Sequence, residues 1–381
     1  MTDDSIVRTL EVQKDDWRRT RIEEAPLDHT LADGEVLLKV DRVALTANNI
    51  SYAATGDALG YWRFFPAEEG FGRIPAMGWG EVLVSAHPDV MRGERVWGFF
   101  PLSTHLKIRA GKVSANGFAD VSPHREGLAP VYAQFDRASA NPFYDVARED
   151  QDSLLRGLFL TSWLVEDFLQ VNDAFDAEVC LITSASSKTS VALAHCVRGR
   201  GALAAIGITS PGNLEFCERL GCYDAVIAYE DVAGLDAGSP AVLVDMAGSA
   251  KVLGSLHRHF ADRMRYSCRI GATHYQELGA IDGLPGARPE FFFAPAHVRT
   301  RSAEIGAGAL MRQLGAAYVE FRRFCDGWLA IERHDGPDAT VLAYREVLAG
   351  RTDPASGQIV SLWPAVASEI SSQRRQGERR L

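Results

Sequence analysis

The spacing of apolar positions divides the chain into two patterns. In the first third they alternate in short runs, 35-EVLLKVDRVAL-45, 80-GEVLVSAH-87 and 94-ERVWGFF-100, separated by glycine, proline and aspartate. A period of two belongs to strands with one buried face, and several such runs predict a compact, partly open β-barrel. From about residue 151 the period changes: 152-DSLLRGLFLTSWLVEDFLQV-171 repeats its apolar residues every three or four positions, as a helix does. Strands over 178–183, 202–208, 224–229, 241–245 and 265–271 then alternate with helices over 187–199, 211–220 and 249–260. That alternation predicts an α/β fold whose second part is a parallel sheet covered by helices on both faces. Beyond it, 289-PEFFFAPAHVRTR-301 reads as extended, 305–331 as helical, 341–350 as a helix and 357–363 as a closing strand.

Length and charge narrow the function classes. A chain of 381 residues, 46% hydrophobic, can bury a large core and form two domains. Forty basic against fifty acidic residues give a formal charge of −10. That argues against a protein that tracks nucleic-acid phosphates, which needs a basic face. Six cysteines (Cys180, Cys196, Cys217, Cys222, Cys268 and Cys325) form no CxxC pair, as expected of reduced core thiols in a cytoplasmic protein. The first fifteen residues are polar and no run of eighteen apolar residues occurs, so neither an export signal nor a membrane span is expected. Residues 366–381, which end in 371-SSQRRQGERRL-381, are expected to be disordered.

Candidate chemistry concentrates in 181-LITSASSKTS-190. A buried strand, a turn and a helix begin a nucleotide-binding unit, where glycines let the main chain approach a pyrophosphate and helix N-terminal amides stabilise its charge. Here the turn has no glycine. Ser186, Ser187, Thr189 and Ser190 offer hydroxyl donors instead, and Lys188 offers a positive charge. A helix cap alone would account for one of the serines. Lys188-Thr189 matches the end of a P-loop, but the glycines of GxxxxGK[ST] are missing. No GxSxG elbow occurs, and the scattered histidines, His105, His124 and His274 among them, fall in no motif with a serine.

Four stretches, taken in order, carry a family resemblance: 75-PAMGWGEVLVSAHP-88 with 93-GERVWGF-99, then 158-LFLTSW-163, 242-VLVDMAGS-249 and 266-YSCRIGA-272. Over about residues 30–363 the chain resembles the medium-chain dehydrogenase/reductase superfamily, in particular its zinc-free quinone oxidoreductase-like branch. The resemblance implies a GroES-like barrel domain over 1–147, completed by 301–365, and a Rossmann-type cofactor domain over 148–300. It implies an NADP(H) site, with Thr161 and Ser186–Ser190 as contacts and Ser190 standing where the family has its last glycine. Thr209 and Ser210 occupy the place of the acid that would bind NAD ribose, which favours NADP. Tyr229 falls where the family packs a tyrosine near the adenosine phosphate, and Asn213 where a basic residue often accompanies it. Gly78-Trp79-Gly80-Glu81 replaces the Gly-His-Glu of the zinc enzymes, and no cysteine precedes Cys180, so no metal is expected.

The reaction this implies is hydride transfer to a quinone, enone or enoyl thioester, which needs orientation and a donor for the developing enolate oxygen. Within 44-ALTANNISYAATGDALGYW-62, Tyr52 and Asn49 are the candidate donors, followed by Asn48, with Tyr61 and Trp62 as an apolar wall. Turn-forming asparagines and a buried aromatic run would explain the same residues structurally. A homodimer is implied through 288-RPEFFFAPAHV-298, where the family's cofactor domains pair edge to edge. The competing reading is a retained fold whose nucleotide site serves another phosphorylated ligand or a non-catalytic partnership; a lyase or isomerase with a structural cofactor is a third.

Overall fold

The computed structural model describes residues 5–246, 248–270 and 283–365. The tail expected to be disordered, His274, and positions 247, 271 and 272 of the matched stretches lie outside the described residues. The chain forms two compact units: Met1–Leu154 with Ala330–Leu381, and Leu155–Leu329. The expected divisions at 147/148 and 300/301 thus differ from those observed. Residues 301–329, expected to complete the barrel domain, belong to the second unit.

The first unit begins with β1 (Ile6–Gln13), β2 (Thr20–Pro26), β3 (Glu35–Leu45), α1 (Ala47–Ala54), β4 (Phe71–Gly72), β5 (Pro75–Ser85), β6 (Arg95–Pro101), β7 (His105–Ser114), β8 (Gly117–Asp120) and β9 (Gln134–Arg137). β3 pairs antiparallel with β5 and with β7, and the ladder runs on through β6, β9 and β8, so six strands close into a ring. The barrel is therefore more closed than its sequence pattern suggests. Register shifts in β3 at Leu37/Leu38 and Val40/Arg42 bend the strand. Gly78 allows a close approach, since a Cβ there would lie 2.2 Å from the Arg42 carbonyl oxygen. Val36, Leu38, Val82, Val96, Phe100, Phe118 and Phe135 fill the interior and are fully buried. Trp62 joins the same core: a Cβ on Gly56 or Gly72 would fall within 2.4 Å of its indole. It is core and not the substrate wall expected of it.

A long helix, α2 (Glu149–Val171), begins in the first unit. Its first turn is anchored there: Trp79 donates its indole N–H to the Glu149 carbonyl oxygen (3.0 Å), and Arg95 bonds the Glu149 carboxylate (2.5 and 2.8 Å). The second unit then follows: β10 (Val179–Thr183), α3 (Lys188–Arg200), β11 (Ala204–Thr209), α4 (Leu214–Leu220), β12 (Ala225–Ala228), β13 (Ala241–Asp245), α5 (Ala250–Phe260), β14 (Met264–Arg269) and β15 (Pro289–Phe291). All six strands are parallel, in the order β12-β11-β10-β13-β14-β15. This is the doubly wound Rossmann arrangement, and the order reverses between β10 and β13. Both of those strands are almost wholly buried, as their continuous apolar runs require.

The extended segment expected over 289–301 is only three residues of strand. Pro295, in the first turn, starts α6 (Ala294–Ile305), and α7 (Ala307–Cys325) follows. The chain closes with β16 (Ala330–Asp335), α8 (Pro337–Leu348) and β17 (Ser356–Ser361), which pairs with β3. β16 begins where a helix is expected; it is an edge strand with no buried residue and carries no burial pattern to read. All six cysteines are unpaired. No helix among the described residues is long and apolar enough to cross a membrane.

Candidate functional site

In the first unit, α1 sets the positions of three expected donors. Thr46 caps the helix and its N–H donates to Asn49 Oδ1 (2.6 Å), while Asn49 Nδ2 donates to the Pro75 carbonyl oxygen (2.7 Å). Asn49 is 3% exposed, so its amide holds backbone together and presents nothing to a ligand. Asn48, on the opposite side of the first turn, is exposed. One turn on, Tyr52 enters an aromatic cluster drawn from three segments: its ring lies 4.6 Å from Tyr61, 5.5 Å from Phe99 and 6.1 Å from Tyr132. Phe64 packs against Tyr61, Tyr132 and Phe99. Burial, then the phenols of Tyr132 and Tyr61, raise the Tyr52 hydroxyl well above the ordinary tyrosine range. The Tyr52 hydroxyl therefore stays protonated. Tyr132 also raises Tyr61, after burial.

In the second unit, the turn between β10 and α3 is held by its own side chains. Ser184 takes a left-handed conformation (φ +50°), and its N–H donates to the Tyr229 hydroxyl (3.1 Å). Tyr223 donates to the Ala185 carbonyl oxygen (2.7 Å). Ser187 caps α3 by accepting from the Ser190 N–H (3.2 Å). Ser190 is fully buried, and its hydroxyl donates to the Thr183 carbonyl oxygen (2.8 Å). Ser190 thus replaces the close packing of a glycine with a hydrogen bond to the strand, and its oxygen faces no solvent.

Ser186 differs. It is partly exposed, and its hydroxyl oxygen accepts from Asn213 Nδ2 (2.9 Å), which leaves the hydroxyl proton to donate. Asn213 also donates to Ser210 Oγ (3.1 Å), joining the turns after β10 and β11. The N–H groups of Ser186 and Thr189, and the Thr189 hydroxyl, have no partner among the described residues. The Lys188 charge acts on buried Cys325, at the end of α7, and opposes the rise that burial imposes on that thiol.

The structure thus brings Ser186, Ser187, Ser190, Ser210 and Tyr229 around one turn, with Asn213 and Ser184 as joints. Thr209 is 1% exposed and buried beneath the turn, so it has no surface for a 2′-phosphate. Thr161 bonds weakly within its own helix (3.4 Å); the neighbouring Ser162 is the one that ties α2 to α3, donating to the Thr189 carbonyl oxygen (2.8 Å). Sequence reasoning missed Tyr132, Ser184, Ser162 and Tyr223. It also missed Asp245, fully buried, which accepts from Thr183 Oγ1 (2.8 Å) at the adjoining strand end. No group of three His, Cys, Asp or Glu side chains among the described residues is placed to hold a metal ion.

Residues 43–353 match the family described as "Protein of unknown function (DUF2855)". The chain belongs to that family. No curated protein matches it in sequence. In structure, the DUF2855 chain is similar to a putative NADPH:quinone reductase from Mesorhizobium loti (14% identity, TM-score 0.60, covering 95% of this chain and 100% of that one). It is also similar to Etr1p in a complex with NADP and crotonyl-CoA (13% identity, TM-score 0.57, 93% and 99% covered) and to the CurK enoyl reductase (15% identity, TM-score 0.54, 94% and 99% covered). At these identities the likeness establishes the fold of the DUF2855 chain, a barrel-like unit and a Rossmann-type unit, as in the medium-chain reductases.

Proposed function

We propose that the protein is an NADP(H)-dependent, zinc-independent reductase of a quinone, enone or enoyl thioester. The observation that carries this reading is the turn leading into α3, where Ser186 keeps a hydroxyl proton and the N–H groups of Ser186 and Thr189 lack acceptors. Unpaired amides at a helix N-terminus, beside the strand ends of a doubly wound sheet, suit a diphosphate. Ser186, Thr189 and the helix amides would hold it, with Ser210 and Asn213 toward the adenosine phosphate. Ser187, Ser190 and Tyr229 shape the turn. Lys188 supplies charge nearby.

Bound NADPH supplies a hydride. The protein's own part is a protonated donor for the substrate oxygen, which we assign to Tyr52, with exposed Asn48 as the second candidate. Tyr61, Tyr132, Phe64 and Phe99 fix the Tyr52 ring and keep water from it. The metal-free reading is supported at Trp79, in the place of the zinc enzymes' histidine: its indole is buried and already donates to Glu149. Exposed Phe291 and Phe293, at the sheet edge formed by β15, support a homodimer.

Nicotinamide fluorescence and thermal shift with NADPH, NADH and buffer test the cofactor. A shift with NADPH and not NADH is expected, followed by enone-dependent NADPH oxidation. A folded protein silent to both cofactors overturns the reading. It would favour the repurposed site, which the internal bonds of Ser187 and Ser190 already support. Light scattering that finds a monomer at micromolar concentration overturns the dimer.

A further inference from the structure

We propose that Arg269 is a cofactor-positioning residue, which donates to the carboxamide oxygen of the nicotinamide; the inference rests on the NADP(H) reading above. Parallel strands end along one edge of their sheet. Asp245, Arg269 and Phe291 are the last residues of β13, β14 and β15, and they are partners in register along that edge. A doubly wound sheet binds a dinucleotide across the point where its strand order reverses, one mononucleotide to each half. The serine-rich turn after β10 opens the half formed with β11 and β12, which leaves the ends of β13, β14 and β15 to the nicotinamide.

Arg269 has donors to spend. Its Nε lies 3.9 Å from Asp245 Oδ2, past hydrogen-bond reach. In the same unit Arg301 meets Asp167 at 2.8 Å, as a structural ion pair does. Asp245 is held without the arginine, since its Oδ1 accepts from Thr183 Oγ1 (2.8 Å) and from the Gly248 N–H (3.2 Å). The Arg269 side chain is 11% exposed, and none of its nitrogens is sealed from solvent, so a bound molecule can reach them. Charge then selects the ligand atom. With Asp245 beside it Arg269 forms a neutral pair; an anion would set a second negative charge against Asp245, whereas a neutral carbonyl oxygen takes the donors and adds none. The carboxamide carries the only carbonyl of the nicotinamide half. A hydrogen bond there fixes how the ring is turned, and so which of its faces presents the hydride.

Calorimetry on the full chain would compare NADPH, its thionicotinamide analogue, in which sulfur replaces the carboxamide oxygen, and 2′,5′-ADP, which has no nicotinamide. The wild-type chain is expected to bind NADPH at least about fivefold more tightly than the sulfur analogue, because sulfur is the weaker acceptor. Arg269→Met should bring those two affinities together, weaken NADPH at least about tenfold and leave 2′,5′-ADP within about twofold. Arg269→Lys, which keeps a charge beside Asp245, is the second variant and should give a preference between the two. An arginine that only supported the fold would weaken all three ligands alike. Equal binding of NADPH and the sulfur analogue by the wild-type chain, a preference that both variants keep, or a folded variant that loses 2′,5′-ADP as well would each overturn the proposal. The first of these is read on the wild-type chain and does not depend on how the variants fold. Failure of the reductase reading looks different: the wild-type chain then binds neither NADPH nor 2′,5′-ADP, and this proposal falls with it.

Discussion

The starts of α1 and α3 are built alike, and each turns the expected ligand residue into a structural one. In α1 the third helical residue, Asn49, reaches back to the Thr46 N–H and donates to the Pro75 carbonyl oxygen. In α3 the third residue, Ser190, is met by the cap residue Ser187 and donates to the Thr183 carbonyl oxygen. Both are buried, and both bind the helix start to a strand. The difference lies in what each helix leaves outward. α3 offers its first turn, with unpaired N–H groups; α1 offers its second, where Tyr52 enters the aromatic cluster. The first suits an anion, the second a neutral donor.

Removing the neutral donor should have the largest effect. Tyr52→Phe keeps the ring packing and loses the hydroxyl, so kcat is expected to fall about 100-fold with the melting temperature nearly unchanged. Because Tyr52 is held above the ordinary tyrosine range, wild-type activity should show no loss from its ionisation below about pH 10. Unchanged steady-state rates in the variant would move the donor to Asn48.

The third helical positions come next. Asn49→Ala strands the Thr46 N–H and the Pro75 carbonyl oxygen and should cost about 1–3 kcal/mol; Ser190→Ala should cost about 1–2 kcal/mol. Asn48→Ala, on the exposed side of the same turn, should stay within about 0.5 kcal/mol. Urea unfolding of the three variants decides this: equal values for Asn48 and Asn49 would break the parallel between the two helix starts.

That contrast marks where the sequence stopped being legible. β3 and β13 run over the residues their patterns indicate, because alternation and continuous burial are written in the side chains. Which of two adjacent asparagines turns inward depends on where α1 begins, and a one-residue change of start exchanges them. The extended reading of 289–301 failed because three phenylalanines suggest a strand as strongly as Pro295 suggests a helix start. Tyr132 was not found because the aromatic cluster assembles from segments around residues 52, 61–65, 99 and 132, with no periodicity connecting them. The doubly wound parallel sheet was legible, but the bonds that replace its glycines were not: Tyr223 and Tyr229 reach the turn from later in the chain.

In the turn before α3, Ser186 and Ser187 should separate cleanly. Ser186→Ala removes the hydroxyl that can still donate, and NADPH affinity is expected to fall about five- to tenfold with little change in stability. Ser187→Ala removes the cap and should cost about 1 kcal/mol of stability while changing affinity less. Fluorescence titration beside thermal melts tests the pair, and the reverse pattern would assign the anion contact to the cap residue.

The far end of α3 gives the smallest expected effect. Arg200 there bonds the Glu166 carboxylate (3.1 Å), yet burial outweighs that partner and, with Asp167 adding repulsion, raises the Glu166 carboxyl to about 7. The folded chain therefore binds a proton that the unfolded chain, with an ordinary glutamate near 4.3, has already released. Stability from this group is fully present below about pH 4 and is lost as pH rises through about 7. Between pH 6 and pH 8 the loss should amount to about 1 kcal/mol. Glu166→Gln carries no titrating proton, so its stability should be flatter over that interval, by about the same amount, in urea unfolding at the two pH values. An unchanged slope would mean that Arg200 holds Glu166 ionised, and that the ion pair stabilises the end of α3 as the hydrogen bonds stabilise its beginning.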